Sequence, residues 1–150
     1  MRPFTKVTPA MWASALFKQS DDADRLLFLY YLTGRHQTIT GVFHAPDAYV
    51  AEDLNWSQEK CKTHRSNLIK KGAICFDADT GEVLIVGWLT GNGPTNEKFY
   101  KGFRTGLGQI VSPCLKKKAT EEVEKFWNAH EDERRGSGVA LLAARKAQHG

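Results

Sequence analysis

Residues 47–86 read DAYVAEDLNWSQEKCKTHRSNLIKKGAICFDADTGEVLIV and contain two helical patterns followed by two β-prone runs. In the first pattern, Val50 and Leu54 lie one turn apart and share a helix face. Asn55 tolerates the left-handed conformation that ends a helix, and Ser57 is a preferred cap for the helix that follows. Residues 55–57 therefore predict a tight turn between two helices.

The second helix of this unit is predicted from Gln58 to Lys71, because Gly72 can adopt the left-handed conformation that closes a helix. Two runs rich in β-branched and aromatic residues follow at 73–76 and 82–86. Residues 77–81 between them include two aspartates and a glycine, a composition typical of a hairpin loop. The sequence therefore predicts a helix-turn-helix followed directly by a β-hairpin.

Two further helices are predicted toward the N-terminus. The first covers residues 9 to about 18, with Trp12 and Leu16 forming a buried stripe. The second is capped by Ser20 and contains the apolar run 26–32, which is typical of a helix in the centre of a core. Both helices precede the helix-turn-helix unit in the chain.

The remaining predicted elements lie on either side of the central unit. A short strand at 42–43 separates the N-terminal helices from the unit. Beyond the hairpin, glycines weaken a helical pattern near 95–110, and another helix is predicted at 119–130. The residues 134–138, RRGSG, resemble a linker before the Ala- and Leu-rich stretch 139–147.

The order of these elements predicts the fold class. N-terminal helices, a short strand, a helix-turn-helix and a hairpin, in this order, are typical of a winged helix-turn-helix. We therefore expect a mainly α fold with a small β-hairpin, in which a winged helix-turn-helix is followed by C-terminal helices. The predicted division is a DNA-binding domain at 1–95 and a helical extension at 96–150.

The charge is distributed unevenly along the 150 residues, whose formal net charge is +4. Residues 57–118 contain eleven basic and five acidic residues, a net charge of +6, whereas residues 1–56 and 119–150 each carry −1. Excess positive charge confined to one segment is expected where one surface meets a polyanion. The pattern favours a nucleic-acid partner.

The second helix of the unit has a core-facing side at Cys61 and Leu68. Its opposite side carries groups that can bind phosphates or base edges in a major groove. A Lys-rich face also occurs as a merely solubilising surface, but the turn and the hairpin around it favour recognition. The predicted DNA-binding residues on this helix are Lys60, Lys62, Thr63, Ser66, Asn67, Lys70 and Lys71.

Several classes of function find no support in the sequence. Cys61, Cys75 and Cys114 form no C-x-x-C pair, so neither a disulfide framework nor a zinc site is predicted. The longest apolar run, 26–32, is far shorter than the roughly 20 residues that cross a bilayer. With no catalytic constellation visible, we expect no enzymatic activity, cofactor or metal, and a location in a reducing cytoplasm.

Short motifs between residues 4 and 100 resemble the N-terminal winged-helix domain of phage replication-initiation proteins, the replisome organisers. The resemblance implies binding of origin or operator double-stranded DNA by the winged helix. It also draws attention to Arg35, which would add a phosphate contact in the loop where Ser-Pro is expected. The motifs are LFLYYLT at 27–33, His36-Gln37, Gly41-Val42-Phe43, Pro46-Asp47, Glu52-Asp53-Leu54, Trp88, Asn92, Pro94 and Asn96.

Two alternatives to replication initiation stay open at this point. One is a phage or prophage transcriptional regulator with the same fold. The other is a winged-helix interaction module that docks on a replication or host-defence protein. The stretch 139–147 would also suit self-association, since a homodimer doubles a DNA footprint.

Overall fold

The structure is a computed structural model that describes residues 2–149. It is mainly helical, at 64%, with a small three-stranded antiparallel sheet. The helical segments are a 3-10 turn at Pro9–Ala13, α1 at Ala15–Lys18, α2 at Asp22–Thr33, α3 at Asp47–Leu54, α4 at Gln58–Lys70, α5 at Leu89–Asn92, α6 at Glu97–Gly108 and α7 at Pro113–Gln148. The strands are β1 at Val42–His44, β2 at Ile74–Asp77 and β3 at Glu82–Ile85.

The turn between α3 and α4 forms as its chemistry predicts. Asn55 has a φ of 54° and ends α3 in the left-handed conformation. The Ser57 side chain accepts a hydrogen bond from the Lys60 backbone N–H and so caps α4. Gly72 follows α4 with a φ of 72°. Local residue preferences thus fix both ends of α4.

The predicted hairpin is confirmed, and β3 is its inner strand. The strand order is β1-β3-β2, so that Val42 of β1 and Cys75 of β2 both lie opposite Leu84. In the turn between β2 and β3, the Asp77 side chain accepts a hydrogen bond from the Asp79 backbone N–H at 2.9 Å. Every side chain of β3 is buried, which makes this strand the centre of the sheet.

The N-terminal helix predicted at 9–18 is wrong in two respects. Ser14 is extended, with a ψ of 147°, and its side chain caps the separate helix α1. Trp12 is 63% exposed, and Phe17 is the aromatic residue that enters the core. In addition, α2 is capped by Asp21 rather than by Ser20.

The predicted linker at 134–138 is also wrong, because α7 is one continuous helix. Pro113 lies at its first position, where proline removes no helical hydrogen bond. Gly136 and Gly138 lie inside it, and a mid-helix glycine costs only about 1 kcal/mol relative to alanine. Such a cost does not by itself break a helix whose neighbours are alanine, leucine and arginine.

The first half of α7 belongs to the main core. Leu115, Ala119, Val123 and Trp127 repeat at every fourth position and are buried. The helix packs against β2, β3 and α6, and buried residues from Phe17 to Val123 form one hydrophobic cluster. The segments before and after residue 95 therefore share a core.

Candidate nucleic-acid interface

Helix α4 packs against α2 and α3 and turns one side outward. Cys61 and Leu68 fill its inner side and are almost completely buried. On the outer side, Lys62, Thr63 and Lys70 are exposed, Ser66 is half-buried, and Glu59 is an exposed acid one turn before Thr63. We call Lys62, Thr63, Ser66 and Lys70 the outer face of α4.

A second group of predicted residues lies at the margin of α4 that faces α2. The Asn67 amide nitrogen donates a hydrogen bond to Asp24 Oδ1 at 3.2 Å. The Lys71 ammonium lies 2.9 Å from Asp24 Oδ2 and also donates to the Ser20 hydroxyl at 3.0 Å. These contacts tie α4 to the first turn of α2, so Asn67 and Lys71 are already bound within the protein.

Asp24 is the centre of this polar network, although the sequence shows it only as one of several acids in a first helical turn. It is 2% exposed, and His64 Nδ1 lies 2.6 Å from its Oδ1 atom. Burial favours the protonated acid, but the hydrogen bonds from His64, Lys71 and Asn67 together lower the pKa of Asp24. The carboxylate is therefore held in its charged form.

The same network offers a grouping of possible metal ligands. One side-chain atom each of Asp21, Asp24 and His64 lies within 4.8 Å of the other two. The Lys71 ammonium, however, already contacts the Asp24 carboxylate at 2.9 Å, and a metal ion there would meet a positive charge at close range. The geometry favours a structural ion pair.

Two more predicted residues are engaged with neighbouring side chains. The Lys60 ammonium lies 4.5 Å from the centre of the Trp56 ring in a cation–π contact. Arg35 forms a two-point ion pair with Asp53, at 2.7 and 3.2 Å, and the Tyr30 hydroxyl donates to the same carboxylate. Arg35 thus lies beside α3 and does not join the outer face of α4.

Arg65 has a positioning role that the helical wheel does not reveal. Its guanidinium donates to both carboxylate oxygens of Asp47, at 3.0 and 2.9 Å. It also lies 3.9 Å from the centre of the Phe76 ring on β2. A single side chain therefore connects α4 to the start of α3 and to the hairpin, which fixes how the outer face is presented.

The basic residues of segment 57–118 are spread over three helices. Beyond α4, they lie on α6, which packs its glycines against Ile39 before β1, and on the start of α7, where Lys118 Nζ lies 3.3 Å from Cys75 Sγ on β2. The net charge of +6 is therefore shared among three helices. On α6 and α7 these residues are Lys98, Lys101, Arg104, Lys116, Lys117 and Lys118.

The hairpin turn is acidic. A hydrogen bond with Ser112 lowers the pKa of Asp77, which keeps this carboxylate charged, and Asp79 is exposed beside it. The Thr80 hydroxyl is buried without a hydrogen-bond partner among the described residues. The turn would thus repel phosphates, and Lys118 is a basic residue of α7 that contacts β2.

A cleft of about 780 Å³ lies at the opposite edge of the sheet, between β1 and the α6–α7 loop. Histidine and carboxylate side chains line this cleft, but several of them form hydrogen bonds that stabilise the fold. His44 Nδ1 lies 2.8 Å from the Thr80 carbonyl, and Glu82 accepts the backbone N–H groups of Val111 and Ser112 at 3.1 and 2.5 Å. No nucleophile is paired with a base among the residues described around this cleft.

Known proteins give no indication of what this surface binds. No known protein family, curated protein or solved structure matches this chain. Within residues 2–149, no helix has the length and apolar character needed to span a membrane.

Proposed function

We propose that this protein binds double-stranded DNA through the outer face of α4. The observation that carries the proposal is that a capped helix, packed on two others, presents two lysines and two hydroxyl residues to solvent. Neither Lys62 nor Lys70 forms a salt bridge to another side chain within residues 2–149. Two cations free to meet phosphates suit a major groove, as do the Ser66 hydroxyl and the Thr63 oxygen, which can still accept a hydrogen bond although its hydroxyl donates to the Glu59 carbonyl at 3.0 Å.

The arrangement around α4 supports a winged helix. β1 lies between α2 and α3 in the chain and pairs with β3 of the hairpin that follows α4. This order places the hairpin beside the recognition helix, as a wing requires. Because the turn is acidic, we assign the flanking phosphate contact to Lys118, whose ammonium lies beside Cys75 of β2.

The structure changes the role proposed for Asn67. Reading adenine requires the amide nitrogen and the carbonyl oxygen of an asparagine to face the base together, and the hydrogen bond to Asp24 holds the Asn67 amide against α2. We therefore assign direct base contacts to Thr63 and Ser66, and we assign Asn67 and Lys71 to holding α4 in place.

The biological setting that we propose is replication initiation in a phage or prophage. It is supported by the resemblance of residues 4–100 to replisome organisers, and a DNA site selected by the protein would test it. Enrichment of one motif from random duplexes at physiological salt would support sequence-specific binding. If the motif falls in promoters instead of origins, the regulator role replaces initiation.

The DNA interface is tested by a pair of matched double variants. Lys62→Ala/Lys70→Ala removes two charges from the outer face of α4, and Lys98→Ala/Lys101→Ala removes two exposed charges from α6. Each phosphate contact contributes about −0.9 to the slope of log affinity against log salt concentration. We therefore expect the α4 variant to reduce the slope by about 1.8, measured by fluorescence anisotropy with the selected duplex.

The α6 variant is the control for loss of net charge alone. It should leave both the slope and the affinity close to those of the unchanged protein, and both variants should keep the unfolding midpoint. Equal losses from the two variants would show diffuse attraction to a polyanion, and affinity that does not respond to salt would overturn the proposal.

A further inference from the structure

The C-terminal end of α7 extends away from the core. Every residue from 132 to 148 is exposed, and at 1.5 Å per residue this part of the helix is about 25 Å long. None of its side chains belongs to the hydrophobic cluster described above. A helix of this length receives little stability from the rest of the chain and is marginal in water unless something packs against it.

This segment carries apolar side chains that are exposed to solvent. Val139 is 67% exposed, and Leu141 and Leu142 are each 60% exposed. Val139 and Leu142 are three positions apart and therefore share one face of α7. The residues 136–144 around them are uncharged, so the middle of the segment is suited to contact with another apolar helix.

The charges of the segment lie towards its two ends and differ in net sign. Residues 131–135 contain three acids and two arginines, a net charge of −1, and Arg145 and Lys146 add +2 at the other end. Arg134 forms an ion pair with Glu131 at 3.3 Å within the same helix, which leaves the other two acids without a salt bridge among the described residues. The centre of this pattern falls near Gly138 and Val139.

We infer that the end of α7 pairs with the same segment of a second copy in an antiparallel orientation. A two-fold axis between Gly138 and Val139 would place Glu131 of each copy opposite Lys146 of the other. Such an isologous contact is self-complementary, since both ends bring acids against bases. In a parallel pair, by contrast, the acidic ends of the two copies would lie side by side, and so would the basic ends, which is unfavourable.

The same charges argue against the other occupants of this face. A nucleic acid or an anionic membrane would attract the four basic residues of the segment but repel its three acids at 131–133. A second copy satisfies both ends at once and covers Val139 and Leu142 between them. A second copy of the chain is therefore the partner that these charges favour.

The pairing is tested by charge reversal at each end of the segment. In the first variant, Glu131, Asp132 and Glu133 become lysine; in the second, Arg145 and Lys146 become glutamate. The unchanged protein should form a dimer whose mass in sedimentation equilibrium depends on concentration. Each variant alone should dissociate at least about tenfold more readily, because like charges then face each other.

An equimolar mixture of the two variants should restore the dimer, since the reversed ends are again complementary. Lys98→Glu/Lys101→Glu on α6 is the control and should leave the dimer unchanged. All these residues are on the surface, so circular dichroism should show the same fold in each variant. An unchanged protein that stays monomeric, or a mixture that stays monomeric, would overturn the inference.

Orientation is tested by cross-linking in a Cys114→Ser background, since Cys114 is an exposed thiol. Antiparallel pairing about the proposed axis brings residue 135 of one copy near residue 142 of the other. Disulfide formation between Arg135→Cys and Leu142→Cys copies supports this orientation, because a disulfide needs Cα atoms closer than about 7 Å. A disulfide between two Arg135→Cys copies would instead indicate parallel pairing and contradict the inference.

Discussion

Asp24 illustrates how one buried residue can decide the position of a helix. Its carboxylate accepts contacts from His64 and Asn67 on α4 and from Lys71 directly after it, while Asp24 itself lies in the first turn of α2. Two polar side chains of the candidate DNA-binding helix and the lysine that follows it thus converge on one acid. Removing that acid leaves buried donors without a partner, which is more costly than losing an exposed ion pair.

We predict that Asp24→Asn lowers the free energy of unfolding by about 2 kcal/mol at neutral pH, since a charged hydrogen-bond acceptor is lost. The pKa of Asp24 is lowered below its ordinary value of 3.8. The stability that its charge supplies is therefore complete above that value and is lost as the pH falls through the pKa of the folded state. Urea unfolding at several pH values measures the difference.

The difference in the free energy of unfolding between the unchanged protein and Asp24→Asn should shrink as the pH falls below about 4, the ordinary pKa range of aspartate. Asp22→Asn is the matched control, because Asp22 lies in the same turn but is exposed and forms only a 3.6 Å ion pair with Arg25. A difference that grows as the pH falls below about 4 would contradict the role given to Asp24.

At the scale of the elements, the turn before α4 depends on Asn55. Its φ of 54° lies in the left-handed region, where a side chain with a Cβ atom is strained unless it is asparagine or aspartate. We predict that Asn55→Ala destabilises the protein by about 1 kcal/mol and that Asn55→Gly does not, because glycine has no Cβ. Thermal unfolding monitored by circular dichroism distinguishes the two variants.

The backbone explanation requires that Asn55→Ala and Asn55→Gly differ in their effect on stability. If both substitutions destabilised the protein equally, the Asn55 side chain would be needed for a contact and the backbone argument would fail. Loss of DNA affinity in Asn55→Ala without loss of stability would instead place this residue in the interface.

The elements that the sequence predicts well are those whose ends are set by local chemistry. Asn55, Ser57 and Gly72 act on the backbone next to them. The residues adjacent in sequence are therefore sufficient to predict α4 and the turn before it. The role of Asn67 depends on Asp24, which is far away in the chain, and no local pattern reveals such a pair. The prediction of a linker in α7 overestimated how strongly two glycines break a helix.

At the scale of the whole molecule, charge along the chain is an imperfect guide to charge in space. The sequence places eleven basic residues in segment 57–118, but the fold spreads them over α4, α6 and the start of α7. Lys71 and Arg65 in that segment are moreover neutralised by Asp24 and Asp47. The outer face of α4 is thus a smaller site than the net charge of the segment indicates.

Residues on both sides of position 95 contribute to one core, so it can be tested whether residues 1–95 fold as a separate domain. Phe103 and Leu107 on α6, and Leu115 and Val123 on α7, are buried in the same cluster as the sheet. Burying such side chains contributes about 2 kcal/mol each, and their sum is comparable with the total stability of a domain of about 5–15 kcal/mol. We predict that a fragment ending at residue 95 does not unfold cooperatively.

A fragment ending at residue 130 is the matched comparison. It keeps every residue of the hydrophobic cluster and removes a segment in which Glu131 is half-buried and residues 132–149 are exposed. It should therefore unfold with the same urea midpoint as the full chain at a concentration where both are monomeric, because nothing buried has been lost. If the fragment of 95 residues gave a native-like, cooperative transition, the winged helix would be an independent domain and α6 and α7 would be an accessory to it.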